Sequence, residues 1–264
     1  MPFFTDQLNR TIELTSRPTR IASLVPSQTE LLHDLGLGPE VVGITKFCVH
    51  PESWFREKAR IGGTKNINLE KLASLQPDLV IANKEENVRE QVKALAEQFP
   101  VWVSDVNTLA DAYGMIESLG AITGKEETAK AMVENIQLQF YQLQTSNNKL
   151  QTAYLIWKDP YMTVGGDTFI HHLLEAAGFQ NVFGQEERYP VITIDDLKNS
   201  NCQCILLSSE PYPFQQKHIN EFLQLLPNTQ IILVDGEMFS WYGSRLQKAP
   251  AYFRTLQKQL GLLM

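Results

Sequence analysis

The chain has 264 residues, 43% of them hydrophobic, and a formal net charge of −7. That is enough apolar material for one or two compact lobes. The acidic balance and the absence of a long Lys/Arg run argue against a nucleic-acid partner.

Residues 3–14 read as a small hairpin with a polar turn. The apolar run 21–25, bounded by Pro18 and Pro26, reads as a buried strand. Ser27-Gln28-Thr29-Glu30 has the form of a capping box, so a helix is expected to start there, carrying Leu31, Leu32 and Leu35. Gly36 and Gly38 end it, and a second strand covers 41–45. A helix N-terminus at a strand's carboxyl end is where open α/β sheets hold ligands. Ser27 and Glu30 can equally do no more than cap. A loop at 47–65 holds Phe47, His50, Trp54 and Phe55. Then come a helix at 69–75, a strand at 78–82, a helix at 87–99, a strand at 101–103 and a helical segment at 111–119.

One long helix is expected over 125–143, with Ala129, Met132, Val133, Ile136, Phe140 and Leu143 at steps of three or four. About 20–25 residues would span roughly 30–37 Å, with Asn147-Asn148 ending it. Strands follow at 152–157, 202–208 and 230–235. Helical segments follow at 169–177, 195–199, 218–225 and 251–260. Cys202 and Cys204 fall on one face of a strand, and with Cys48 they supply no disulfide framework. The two halves echo each other. LEKLASLQPDLVIANKE, from Leu69, aligns without gaps on IDDLKNSNCQCILLSSE, from Ile194, placing Glu85 on Glu210.

The fold class expected is α/β, with two Rossmann-like lobes joined by one long backbone helix and a ligand cleft between the lobes. The lobes are 1–124, including the hairpin, and 149–264; the connector is 125–148.

Strand carboxyl ends collect Ser27, Phe47, Asn83 and Asp105 in the first half, and Trp157, Ser208, Ser209 and Asp235 in the second. Two aromatic clusters lie beyond them, one with Trp157 and Tyr161, the other with Trp241, Tyr242 and Arg245. Such rings suit a flat, mostly apolar ligand, and Arg245 could meet its carboxylates or amides. The plain alternative is that the rings pack their own loops. His50 and Cys48 stand two apart without a second ligand pair, and His171 and His172 point about 100° apart on a helix, so no metal site is expected. Glu85, Glu86 and Glu210 follow matching strands. They are either exposed docking carboxylates or acids placed at helix starts.

Catalytic motifs fail. GAITGK is one residue short of a phosphate loop and has Glu126 where Ser or Thr is needed. GLGPEVVG follows a helix and not a strand. Neither G-x-S-x-G nor H-E-x-x-H occurs, so a binding protein is expected and not an enzyme. The start, MPFFTDQLNRTIEL, lacks a basic region followed by an apolar core, so no signal peptide is read and the chain as written is placed in the cytoplasm.

RIASLVPSQTELL, VVGITKFCVHP, GGTKNINLEKLASLQPDLVIANKEEN and WKDPYMTVGGDTFIHHLLEAAGFQNVF together resemble the class III substrate-binding proteins of ABC importers, the helical-backbone metal receptors. The resemblance runs from about residue 5 to 260. It implies two lobes on a rigid helix and, between them, a metal-chelate ligand: a corrinoid such as cobalamin first, a ferric siderophore or haem second. It implies no intrinsic cofactor. Cleft aromatics fall near Phe47, Tyr161 and Trp241. One carboxylate per lobe would dock arginines of a permease dimer: Glu85, Glu86 or Glu90 in the first and Glu210 in the second. The binding protein itself would be a monomer. The tryptophan that the pattern has before NLE is absent from GGTKNINLE. The family's periplasmic or cell-envelope location would require a leader removed from this chain. The alternative is a cytoplasmic corrinoid- or tetrapyrrole-handling enzyme or chaperone on the same fold.

Overall fold

A computed structural model describes residues 2–143 and 149–262. It divides into two compact units. One comprises Met1–Val106, Ala110–Ile136 and Tyr242–Arg245; the other comprises Asn107–Leu109, Gln137–Trp241 and Leu246–Met264.

The first unit opens with the expected hairpin, β1 (Phe3–Thr5) against β2 (Thr11–Glu13). Then follow β3 (Ile21–Ser23), α1 (Pro26–Asp34), β4 (Val41–Ile44), α2 (Glu52–Glu57), β5 (Ala59–Arg60), α3 (Leu69–Ser74), β6 (Leu79–Asn83), α4 (Arg89–Ala96), β7 (Val101–Ser104) and α5 (Leu109–Thr123). The strands form one parallel sheet in the order β5-β4-β3-β6-β7. Every residue of β3, β6 and β7 is buried, which is why their sequences are short continuous apolar runs and do not alternate. The hairpin shields the β7 edge. Gln7 N–H donates to Val103 O at 3.1 Å, Val103 N–H donates to the Asp6 carboxylate at 3.3 Å, and the Trp102 indole donates to Thr5 O at 3.4 Å. The edge's polar groups are thus matched inside the unit.

α6 (Glu126–Tyr141) is the expected long helix, but it has 16 residues. At 1.5 Å per residue that is about 24 Å, shorter than expected. Phe140 lies in its last turn, while Leu143 falls beyond Tyr141, where the helix ends. Asn147-Asn148 lies outside the described residues. The boundary between the units falls inside α6, after Ile136.

The second unit contains β8 (Leu150–Leu155), β9 (Tyr161–Met162), α7 (Phe169–Ala176), β10 (Phe179–Asn181), β11 (Val191–Ile192), α8 (Ile194–Asn199), β12 (Cys204–Ser208), α9 (Gln216–Leu225), β13 (Gln230–Val234), α10 (Glu237–Ser240) and α11 (Ala249–Gln259). Its parallel sheet has the order β10-β8-β12-β13. Ala153, Leu155, Leu197, Ile205, Leu207 and Phe222 form its core. The first sheet thus runs third, second, first, fourth, fifth in chain order, and the second runs second, first, third, fourth. The gapless echo holds in three dimensions, since α3–β6 and α8–β12 occupy identical positions in the aligned segments. Strand β12 starts at Cys204, not 202; Cys202 lies before it, half-buried, with its Sγ 3.0 Å from Cys204 O. The two cysteines therefore do not share a strand face. The short α2 went unread because its six residues are too few to show a helical period.

Candidate functional site

In each sheet the chain adds strands on one side of its first strand and then crosses to the other, so the order reverses between the first strand and the neighbour laid down after the crossing. The crevice outside their carboxyl ends is the usual ligand position. In the first unit these are the ends of β3 and β6; in the second, β8 and β12.

The β3–β6 end is polar and closed. Asn83, at the last position of β6, is 2% exposed. Its Oδ1 accepts from the Glu85 and Glu86 amides at 2.8 and 2.9 Å, and its Nδ2 donates to Ser104 Oγ at 3.0 Å. Asn87 donates to Thr64 O at 3.0 Å. Gln28 donates to Ser104 Oγ and is fully buried. The capping box is not formed. Helix α1 begins at Pro26 with Val25 at the N-cap and no side-chain cap. Proline is preorganised for the first helical position, so it draws the start upstream of Ser27. Glu30 instead accepts from Arg245 Nε at 2.8 Å, and both side chains are 9% exposed or less. Arg245, expected as an open cation, is therefore buried and engaged inside the unit. Tyr242 is buried as well. Gly243 lets this returning segment lie on α1, because a Cβ there would come 3.0 Å from Ser27 O.

Phe47 answers the expectation of an open ring. It follows β4, is 51% exposed, and has the Lys46 ammonium 5.0 Å from its centroid. Gly63 lies beneath it; a Cβ there would sit 3.1 Å from the ring. His50 is half-buried. Cys48 is buried with its sulfur 3.1 and 3.2 Å from Thr29 and Thr45 Oγ1, and burial pushes its thiol pKa up. It is a packed core thiol rather than a metal ligand. Among the described residues no three His, Cys, Asp or Glu side chains converge as a metal site would require.

The β8–β12 end is aromatic. Trp157 is 39% exposed. Its ring meets Tyr212 edge-on at 5.7 Å, and Tyr212 in turn meets Phe214 at 4.8 Å and His218 at 5.5 Å. Tyr161 is half-buried on β9 and packs on Phe222 at 5.1 Å, so much of its face belongs to the core. Burial raises its phenol pKa. Lys158 pairs with Glu221 beside it. Tyr212 and His218 were missed as site residues. The signal was there in Glu-Pro-Tyr-Pro-Phe directly after a strand, since prolines on both sides of an aromatic residue prevent it from joining a helix.

Trp241 departs from expectation. It is 7% exposed, and its indole N–H donates to Glu210 Oε1 at 3.0 Å. Ser240 Oγ donates to the same oxygen at 2.7 Å. Glu210 is half-buried, and burial raises its pKa. It is therefore not the open carboxylate expected for docking. Gly236 permits this closure, because a Cβ would stand 2.6 Å from Glu210 Cγ. Glu85 and Glu86 are half-buried in the Asn83 turn, while Glu90 is exposed in the first turn of α4. Asp105 pairs with Lys84 at 2.6 Å. His171 Nδ1 meets Asn181 Nδ2 at 3.2 Å, a contact inside the unit.

Two surface hollows lie elsewhere. One of 430 Å³ is lined by Phe183, Val191, Ile192 and Asp196. One of 450 Å³ is lined by Arg10, Glu13, Phe99 and Pro100. Neither is lined by residues at the carboxyl ends of β3, β6, β8 or β12.

The pattern of the periplasmic binding protein family matches residues 21–229. An uncharacterized ABC transporter substrate-binding lipoprotein of Bacillus subtilis, YvrC, is 27% identical over 212 residues, 76% of this chain and 67% of that protein. A vitamin B12-binding protein of Vibrio campbellii is 28% identical over 184 residues, 67% of this chain and 66% of that protein. Among solved structures, the periplasmic vitamin B12 binding protein BtuF of Vibrio cholerae superposes with a TM-score of 0.72 at 23% identity, covering 92% of this chain and 99% of that one. The periplasmic haem binding protein HutB of Vibrio cholerae gives 0.78 at 20% identity, covering 90% and 98%. The family pattern covers most of the chain, from β3 to the residue before β13, so this chain belongs to the periplasmic binding protein family.

Proposed function

We propose that the chain is the substrate-binding protein of an ABC importer and that its ligand is a metal chelate with a flat conjugated ring, a corrinoid first and haem or a ferric siderophore second. Family membership supports the binding role. The vitamin B12-binding relatives favour the corrinoid. The observation that carries the reading is the pair of open rings, Phe47 and Trp157, at the carboxyl ends of two parallel sheets. Rings of this kind give contact area at little rotamer cost. A place in the cell envelope goes with this reading. Among the described residues no helix is long and apolar enough to cross a membrane.

Titrating the purified chain with cobalamin, haem and a ferric siderophore, followed by tryptophan quenching and calorimetry, tests the reading. One saturable response is expected. Unchanged emission and no heat with all three would remove the metal chelate as ligand. For the permease, Glu90 is the exposed one of Glu85, Glu86 and Glu90, and Glu90→Ala should leave chelate affinity unchanged while lowering uptake. A loss of chelate affinity in that variant would move Glu90 from the permease face to the ligand site.

A further inference from the structure

We propose that His218 is a positioning residue that holds the Tyr212 ring against Trp157, and that acid releases it. This rests on the reading that Trp157 contacts the ligand. His218 is 2% exposed. Its Nδ1 accepts the Gln215 main-chain N–H at 2.8 Å. A main-chain N–H can only donate, so Nδ1 carries the lone pair and the proton sits on Nε2. Nε2 faces the Tyr212 hydroxyl at 3.4 Å. Phe214 closes edge-on over the imidazole at 5.3 Å. Tyr212 is thus held by a hydrogen bond and two ring contacts, and Trp157 is the outer, open member of the stack.

Protonation would put a second N–H on Nδ1, facing the Gln215 donor. Two donors cannot satisfy each other, so the imidazole would have to leave its place and free Tyr212. The charged groups around it are Lys158 from the turn after β8, and Lys217 and Glu221 from its own helix, with Glu221 held by Lys158. Burial first, and then the Lys158 charge, keep the imidazole below its usual pKa. The stack is therefore whole at neutral pH and comes apart only as pH falls below the ordinary histidine value, ~6.5.

The difference in emission and iodide quenching between the wild-type chain and Trp157→Phe isolates the Trp157 signal. On going from about pH 8 to about pH 5, across the ordinary histidine pKa, that signal should become more accessible to iodide. His218→Asn keeps an oxygen to accept the Gln215 amide but cannot titrate, and should abolish the acid response. Tyr212→Phe should leave Trp157 as accessible at the upper pH as the wild type is at the lower. Cobalamin affinity should fall about tenfold with acid in the wild type and stay flat in His218→Asn. A wild-type Trp157 signal indifferent to pH, or an acid response surviving in His218→Asn, overturns the proposal. If Trp157 responds as stated while cobalamin binds at neither pH, the positioning role stands and the corrinoid reading fails.

Discussion

The two units solve the same topological problem with different chemistry. Each sheet's order reverses between its first strand and the neighbour laid down after the crossing, and that neighbour ends on a buried polar residue, Asn83 or Ser208, that binds the following loop. In the first unit the space above is filled by Asn83, Asn87, Gln28 and Ser104, which bond one another and the nearby main chain. In the second, Ser208 is bonded by Tyr154 at 3.1 Å and by its own loop, and the space above is taken by Trp157, Tyr212 and Phe214. A polar cluster bonded within itself closes its surface. Rings cannot bond each other in that way, so they leave a face for a guest. The same contrast holds at the helices that follow the first strands. Helix α7 is capped by Thr168, which accepts from the His171 amide at 3.2 Å. Helix α1 has no side-chain cap and is held by the Glu30–Arg245 pair.

The sharpest way to break this comparison is to remove one partner of that pair. Arg245→Ala should cost about 3–5 kcal/mol, because it takes a buried ion-pair partner away from Glu30. Denaturant unfolding of the whole chain measures it, and a cost under about 1 kcal/mol would class the pair with exposed ones. Next come the matched strand ends. Asn83→Ala should cost roughly 2–3 kcal/mol, since it strips partners from buried amides and from Ser104, while Ser208→Ala should cost about 1 kcal/mol. Equal losses would mean that the polar cluster adds nothing beyond the shared turn. The helix starts give a smaller pair of effects: Thr168→Ala should cost about 1 kcal/mol and Ser27→Ala less than about 0.5 kcal/mol, as only the first is a cap.

The smallest effect is the pH slope from Glu210. Its folded pKa is raised by burial, with Asp235 and Glu237 adding to it against the hydrogen bonds from Ser240 and Trp241. A carboxyl group raised in this way binds its proton more tightly folded than unfolded. Its contribution is therefore full below the unfolded value, about 4.3, and is lost as pH rises through the folded value. Glu210→Gln keeps an acceptor for Ser240 and Trp241 without the charge, so its melting temperature relative to wild type should increase over that window. A difference that stays constant with pH would show that the carboxylate is solvated in the folded chain.

Much of the frame was legible because it is written locally. Apolar runs bounded by proline and glycine marked the sheet strands, and the gapless echo of 69–85 on 194–210 pointed to two like units. The candidate site was legible only in part. Phe47 and Trp157 were named and are open. Trp241, Tyr242, Arg245 and Glu210 were named and are buried or engaged. Tyr212 and His218 were missed. No local pattern says whether a loop aromatic faces water, because that depends on residues far along the chain, as when Arg245 returns to Glu30. The capping box failed for a related reason. Ser27 and Glu30 have the right spacing, but Pro26 shifts the helix start and a distant guanidinium takes the carboxylate.

The amino-acid sequence by itself determined the parallel α/β class, the repeated helix–strand unit and the absence of the motifs tested for catalysis. These follow from hydrophobic period, turn chemistry and composition, all of which act between near neighbours. Only the tertiary structure decided which strand ends are polar and shut and which are aromatic and open, because burial and hydrogen-bond partnership are settled by contacts between distant parts of the chain.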